Sequence, residues 1–162
     1  MAIVELHGRN PTADGRQSER AMMVRRGVQH LLTHMRHAAI SEMTLRNGRR
    51  ADLISISEKG EIWVIEIKTS IEDFRVDRKW PEYRDFCDRL FFATHQGVPL
   101  DIFPEDCGLI LADRYHAEVI RGAPEHRLPP ARRKMLTLAF ARLAGQRLTD
   151  AELALEKFEN ES

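Results

Sequence analysis

The chain has 162 residues, 43% of them hydrophobic, which is enough for one domain with a proper core. Lys plus Arg and Asp plus Glu both number 25, so net charge gives no bulk signal for nucleic acid. No run approaches membrane-spanning length, the start MAIVELHGRNPTADGRQSER lacks an apolar signal-peptide core, and two cysteines make neither a disulfide framework nor a metal knuckle. The expectation is a cytoplasmic protein with free thiols at Cys87 and Cys107, in contact with no membrane.

Residues 1–15 carry Gly8, Pro11 and Gly15 and read as a loose arm. Ser18 and Glu19 open a helix in which Val24, Val28, Leu31 and Met35 recur at helical spacing, widened by Met22 and Leu32. Ala38 to Leu45 reads as a short strand near an edge, and Arg46-Asn47-Gly48-Arg49 as a turn. Two further strands follow within Arg46 to Ser70, joined by a turn at Ser57 to Glu61. Ile62-Trp63-Val64-Ile65 is apolar on both faces, the mark of a central strand covered on both sides. Thr69 to Lys79 is a polar connection, and Pro81 fits the first turn of a second helix with Tyr83, Phe86, Cys87 and Leu90 on one face. Leu90 to Thr94 is a strand, His95 to Asp106 a proline-bounded loop, and Gly108 to Ala112 a buried strand. Ala117 to Ile120 pairs back on it, and a last helix runs from about Pro130 to Leu143. This order predicts an α/β or α+β sandwich in one domain over residues 16–148, with residues 149–162 an acidic tail or helix.

The chemistry is concentrated in RNGRRADLISISEKGEIWVIEIKTS, residues 46–70. Strand side chains alternate, so Glu66 and Lys68 share a face, and the turn sets Asp52 roughly opposite Glu66. Charges placed in so apolar a run are costly unless paired or bound to metal. Two carboxylates and the backbone carbonyl of Ile67 suit Mg²⁺, a hard ion that takes few protein ligands. Lys68 could orient or deprotonate water, with a pKa depressed by desolvation and a nearby metal. The competing account is an exposed hairpin end with an ordinary Glu/Lys pair.

The D-x13-E-x-K layout, with Glu66-Ile67-Lys68 ending a strand, resembles the PD-(D/E)xK nuclease superfamily. More closely, GRRADLISISEKGEIWVIEIKTSIEDFRVDRKWPEYRDFCDRLFFA and PEHRLPPARRKMLTLAFARL resemble the bacterial MmcB-like DNA repair family, over about Ser18 to Leu143. The resemblance implies an α/β, restriction-endonuclease-like αβββαβ core, a central mixed sheet flanked by helices. It implies a metal-dependent deoxyribonuclease, an endonuclease hydrolysing phosphodiester bonds in DNA repair. Asp52, Glu66 and Lys68 would be catalytic, and Asp52, Glu66 and the Ile67 carbonyl would hold Mg²⁺ or Mn²⁺. Position 51 is Ala where the motif has Pro, a departure that touches no ligand. Many members add an acid from the first helix, for which Glu19 is the matching metal ligand, although an acid there also complements the helix dipole. Glu42 on the first strand is a further candidate. The rival is a non-catalytic DNA-binding or scaffold protein on the same fold.

Arg46, Arg49 and Arg50 could grip phosphates of DNA, as could Lys79 near the scissile group, against the plain alternative of solvated surface. Trp80 beside Lys79 reads better as core packing. Arg127, Arg132, Arg133 and Lys134 could extend a positive face. His30, His34 and His37 are spaced along one side of the first helix, but with no fourth ligand a polar face explains them better than zinc. Symmetric dimers are common among duplex cutters, so a homodimer and other repair proteins are the protein partners the resemblance brings into view.

Overall fold

A computed structural model describes residues 15–162, with side chains from Glu19 onward. The expected arm over residues 1–15 lies, apart from Gly15, outside the described residues. Three helices and six strands follow in the order α1 (Gly15–His34), β1 (Ala38–Thr44), β2 (Arg50–Ile56), β3 (Ile62–Ile67), α2 (Ile71–Val76), β4 (Arg89–Thr94), β5 (Gly108–Ala112), β6 (Ala117–Arg121) and α3 (Pro130–Glu161). The strands form one sheet in sequence order, β1 to β6. β1, β2 and β3 are antiparallel, β3, β4 and β5 are parallel, and β6 returns antiparallel to β5. This is the mixed, helix-flanked α/β sheet that was expected.

Each face of the sheet has its own core. Val24, Val28 and Leu32 of α1 are fully buried against Leu53, Ile65, Phe91 and Ile110. The buried stripe thus runs i, i+4, i+8, rotated from the expected one, and Met22 and Met35 are exposed at 38% and 39%. Gly27 lets α1 come close to the sheet, because a Cβ there would meet the Asp113 carbonyl oxygen at 2.0 Å. On the opposite face Leu136 and Phe140 of α3 cover Ile54, Ile62, Val64, Phe92 and Leu109. Every residue of β3 is buried, as its two-sided apolar run requires.

Three segments differ from the sequence reading. Within the supposed polar connection lies α2, started by Ser70, whose hydroxyl accepts from the Asp73 N–H at 3.0 Å while Asp73 accepts from Thr69 N–H at 3.2 Å. The second helix is instead a 3₁₀ segment, Trp80–Phe86, cut short because Asp88 N–H must bond Ile62 O at 2.8 Å as the chain enters β4. Trp80 packs edge-on against Phe92 there, as expected of a core residue. Finally α3 does not stop near Leu143. No helix breaker follows, and it continues through the acidic residues to Glu161.

The β1–β2 ribbon contains an irregularity that matters for the site. Ile40 pairs with Ile54 and Met43 with Ala51, and all four join the same core although each strand advances three residues between them. Strict alternation forbids that. The side-chain phase therefore slips at the step between, where Glu42 takes φ +54° and where the ladder skips Glu42 and Asp52 between the Ser41–Leu53 and Met43–Ala51 pairs.

Candidate functional site

β2 and β3 bring the two carboxylates together as the hairpin reading required. Their register pairs Leu53 with Ile65, and one further step sets Asp52 against Glu66. At that step the side chains enter the ladder themselves. The Asp52 N–H donates to Glu66 Oε1 at 3.1 Å, and the Ile67 N–H donates to Asp52 Oδ2 at 2.8 Å. Each carboxylate thus has one oxygen held by the other strand, and Asp52 Oδ1 and Glu66 Oε2 have no donor among the described residues.

Glu66 is 4% exposed and Lys68 6%. Burial pushes the Glu66 carboxyl up to about 9, and the charge of Asp52 adds to it, outweighing the Asp52 N–H and the field of Lys68. Burial likewise raises Asp52, against the Ile67 N–H and Lys68. Two acids that resist ionising side by side are short of positive charge. They titrate as a pair.

Lys68 does not supply that charge alone, because it is already engaged. Its Nζ donates to Asp77 Oδ2 at 2.6 Å, from the residue that ends α2. Burial pulls the ammonium down, but the Asp77 hydrogen bond and the fields of Asp73, Asp77 and Glu66 more than reverse it, and its pKa lies above the ordinary lysine value. Desolvation acts in the expected direction, and the Asp77 partner outweighs it, so that Lys68 is a held cation. Asp77 itself is lowered; burial raises it, and the bond from Lys68 overcomes that. Asp77 carried no signal in the sequence, since its role depends on where α2 ends.

The residues facing this pair are partly those expected. Arg50, on the same strand, contributes a field that lowers Asp52. Tyr83 donates from its hydroxyl to the Arg50 carbonyl at 2.8 Å, and burial with the fields of Glu66 and Asp52 raises its pKa. Arg49 is tied to Glu82 at 2.7 Å, and Arg46 lies by α3 next to Met135 and Arg142. Lys79 is exposed just beyond Asp77. Glu19 is exposed along a separate groove with Arg26, His30, Arg114 and Tyr115, so the structure does not bring it to the pair. Arg132 and Arg133 do not form a free positive face: they bond the Asp85 carbonyl at 3.0 Å and the Asp88 carboxylate at 2.6 Å. The three histidines do not converge. His37 stacks on Trp63 and lies 3.0 Å from Ser55 Oγ, while His30 and His34 are exposed.

A cleft of about 210 Å³ reaches Asp52 and Ile67, though not Glu66, from the α1 side, lined by Ala21, Met22, Arg25, Glu42, Asp52 and Ile67. Arg25 was not anticipated. A lone arginine on an amphipathic helix gives no sequence signal, and its place depends on how α1 crosses the sheet. Glu42, a further candidate from the sequence, does share this cleft with Asp52.

The donor set fits a small divalent cation. It offers two carboxylate oxygens and a neighbouring main-chain carbonyl at Ile67, and burial is what chiefly drives both carboxyl pKa values upward. Among the described residues no group of three or more His, Cys, Asp or Glu side chains is arranged around a metal, so water and substrate oxygens would complete the shell.

Comparison with known proteins extends this. No curated protein matches the chain. A solved structure, a protein of unknown function from Silicibacter pomeroyi, is 42% identical over 82% of this chain and 91% of its own, with a TM-score of 0.77. No helix among the described residues is long and apolar enough to cross a membrane. A family model described as DNA repair protein MmcB-like matches residues 8–155, spanning α1, the whole sheet and both carboxylates. The chain belongs to the MmcB-like family of DNA repair proteins.

Proposed function

We propose that this repair protein is a Mg²⁺-dependent deoxyribonuclease, an endonuclease of the PD-(D/E)xK superfamily that hydrolyses phosphodiester bonds in DNA. The observation that carries the reading is the interlocked Asp52–Glu66 pair, two covered carboxylates with raised pKa values beside a protonated lysine. A binding module gains nothing from so costly a grouping.

Asp52, Glu66 and the Ile67 carbonyl would hold the cation, Mg²⁺ or Mn²⁺. Bound there, it would supply Lewis-acid stabilisation of charge on the phosphate and a water of lowered pKa. Asp52 and Glu66 would ionise together once the cation is present, since its charge offsets their mutual repulsion. Lys68 keeps its proton through Asp77, and so serves as a hydrogen-bond donor that orients water or the phosphate rather than as the base. Arg50 and Lys79 would hold flanking phosphates, with Arg46 and Arg49 adding contacts.

The test incubates purified protein with single-stranded, duplex, flap and junction DNA, with and without Mg²⁺ or Mn²⁺, beside Glu66→Ala and Lys68→Ala. Metal-dependent cleavage that disappears in both variants is the expected result. DNA binding without any cleavage would leave a non-catalytic scaffold role in repair.

A further inference from the structure

Among the described residues, half-buried arginines have hydrogen-bond partners, with one exception. Arg49, Arg84, Arg89, Arg121, Arg132 and Arg133 each donate to a carboxylate or a main-chain carbonyl. Arg25 makes no ion pair among the described residues, and its Nε is buried with no hydrogen-bond partner. A buried donor left unmatched is disfavoured unless something else meets it. The half-buried Arg25 side chain lines the cleft that ends on Asp52, and Glu42 and Asp52 share the cleft without an ion pair to it among the described residues.

The surroundings select the chemistry of the missing partner. Met22 and Ala21, one turn earlier on α1, make the near wall apolar and narrow, while Asp52 and Ile67 form the far wall. A neutral ligand would not answer the charge of an unpaired guanidinium. A free carboxylate or a second protein acid would set another negative charge beside Glu42 and Asp52, which already line the cleft. An anion that arrives with a cation beside it meets both demands, and a phosphodiester oxygen bridging toward the carboxylate pair is such an anion. Guanidinium is the group best matched to two phosphate oxygens at once.

We propose that Arg25 is a phosphate-binding residue of the site, gripping a non-bridging oxygen of the nucleic-acid backbone from the α1 side, opposite the carboxylate pair. This rests on the nuclease reading for its substrate, and it adds a contact on a helix that the acid, acid and lysine set does not include.

The experiment uses the full chain, wild type, Arg25→Met, Arg25→Lys and Glu66→Gln. Two signals are followed: the rise in melting temperature with Mn²⁺, and anisotropy of fluorescein-labelled single-stranded and duplex DNA across a salt series. Arg25→Met should keep the Mn²⁺ response, bind DNA about tenfold more weakly, and lower the salt slope by about 1, the signature of one lost phosphate contact. Arg25→Lys should restore the slope and part of the affinity. Glu66→Gln should lose the Mn²⁺ response instead. Unchanged DNA affinity and slope in Arg25→Met would overturn the proposal, as would loss of its Mn²⁺ response, which would make Arg25 a support of the carboxylates. If wild type shows no metal-dependent cleavage while Arg25→Met still weakens binding, the nuclease reading fails and the phosphate contact stands.

Discussion

Buried carboxylates meet both ends of β3, and they are treated in opposite ways. At its start, Asp88 is 1% exposed and accepts from Ile62 N–H at 2.8 Å, Leu128 N–H at 2.9 Å and both Arg133 nitrogens at 2.7 and 2.6 Å. Burial would raise this acid, but the Arg133 bond and the two backbone N–H groups hold it below the usual carboxylate range. At the other end Asp52 and Glu66 each have a single backbone donor, and both lie above it. The difference lies in depth as well as in the number of donors: burial is the largest influence on Asp52 and Glu66, whereas at Asp88 it is outweighed by Arg133 and the two backbone N–H groups. A satisfied carboxylate ties β3, β4 and the start of α3 together, whereas an undersupplied pair holds an unmet demand for positive charge. That contrast separates a structural hub from a site.

The largest effect should come from breaking the hub. Asp88→Ala strands the Arg133 guanidinium and two backbone donors in a covered place, and should cost about 3–5 kcal/mol in a urea melt at neutral pH. The linkage has a definite sign. Asp88 is lowered on folding, so its contribution is present above the ordinary aspartate pKa of 3.8 and is lost as pH falls through the folded value. A variant as stable as wild type at pH 7 would remove the distinction drawn between the two ends.

Glu66→Gln should act in the opposite direction. Glu66 is raised on folding, from 4.5 to about 9, so its contribution is fully present below 4.5 and is lost as pH rises toward 9. The metal-free protein should therefore lose stability across that window, and Glu66→Gln should flatten the loss, gaining on the order of 2 kcal/mol near pH 7. If the pair holds a cation as proposed, Mn²⁺ should restore wild type most strongly at the alkaline end and leave the variant unmoved. Thermal melts at several pH values check both points. A wild-type profile as flat as that of Glu66→Gln would mean the pair is not undersupplied.

Lys68 sits between these extremes, a cation with one dedicated partner. With side-chain exposures of 7% and 22% for Lys68 and Asp77, Asp77→Asn should cost about 1 kcal/mol. Its more telling effect is on the lysine, whose pKa should fall once the Asp77 charge is gone. In the nuclease reading the alkaline limb of the pH–rate profile would then move to lower pH. An unmoved limb would show that Asp77 does not hold the Lys68 proton.

The sequence exposed the two ends of β3 unequally, for a physical reason. Asp52 and Glu66 are joined by one tight hairpin, so the turn at Ser57 to Glu61 and a period of two suffice to set them face to face. The strands were legible for the same reason, as apolar runs bounded by Gly48 and Gly60, both at positive φ. Asp88 draws its donors from residues 26, 40 and 45 positions away, and no local pattern encodes such a meeting. Arg133 was accordingly taken for surface charge. Asp77 and Arg25 share this blindness, because each acts only where a helix happens to cross the sheet. α2 was missed for a different reason: its Ser70 and Asp73 cap is a local signal, hidden in a polar stretch with no apolar stripe.

The site end also differs from the hub in backbone strain, and this gives the smallest expected effect. Glu42 holds φ +54° within β1, a conformation that L side chains avoid and glycine does not. Arg147 of α3 donates to the carbonyls of Ser41 and Glu42 and so helps to fix that geometry. Glu42→Gly should relieve the steric cost while adding chain entropy to the unfolded state, for a net gain of roughly 0.5 kcal/mol. Glu42→Ala keeps the Cβ and should gain nothing, so the two variants separate strain from loss of the carboxylate. Paired urea melts resolve the difference. Equal stabilities for Ala and Gly would show that Arg147 and the β1–β2 ladder impose no cost at this position. The slip in side-chain phase beside Asp52 would then be an ordinary twist of the ribbon rather than stored strain at the site.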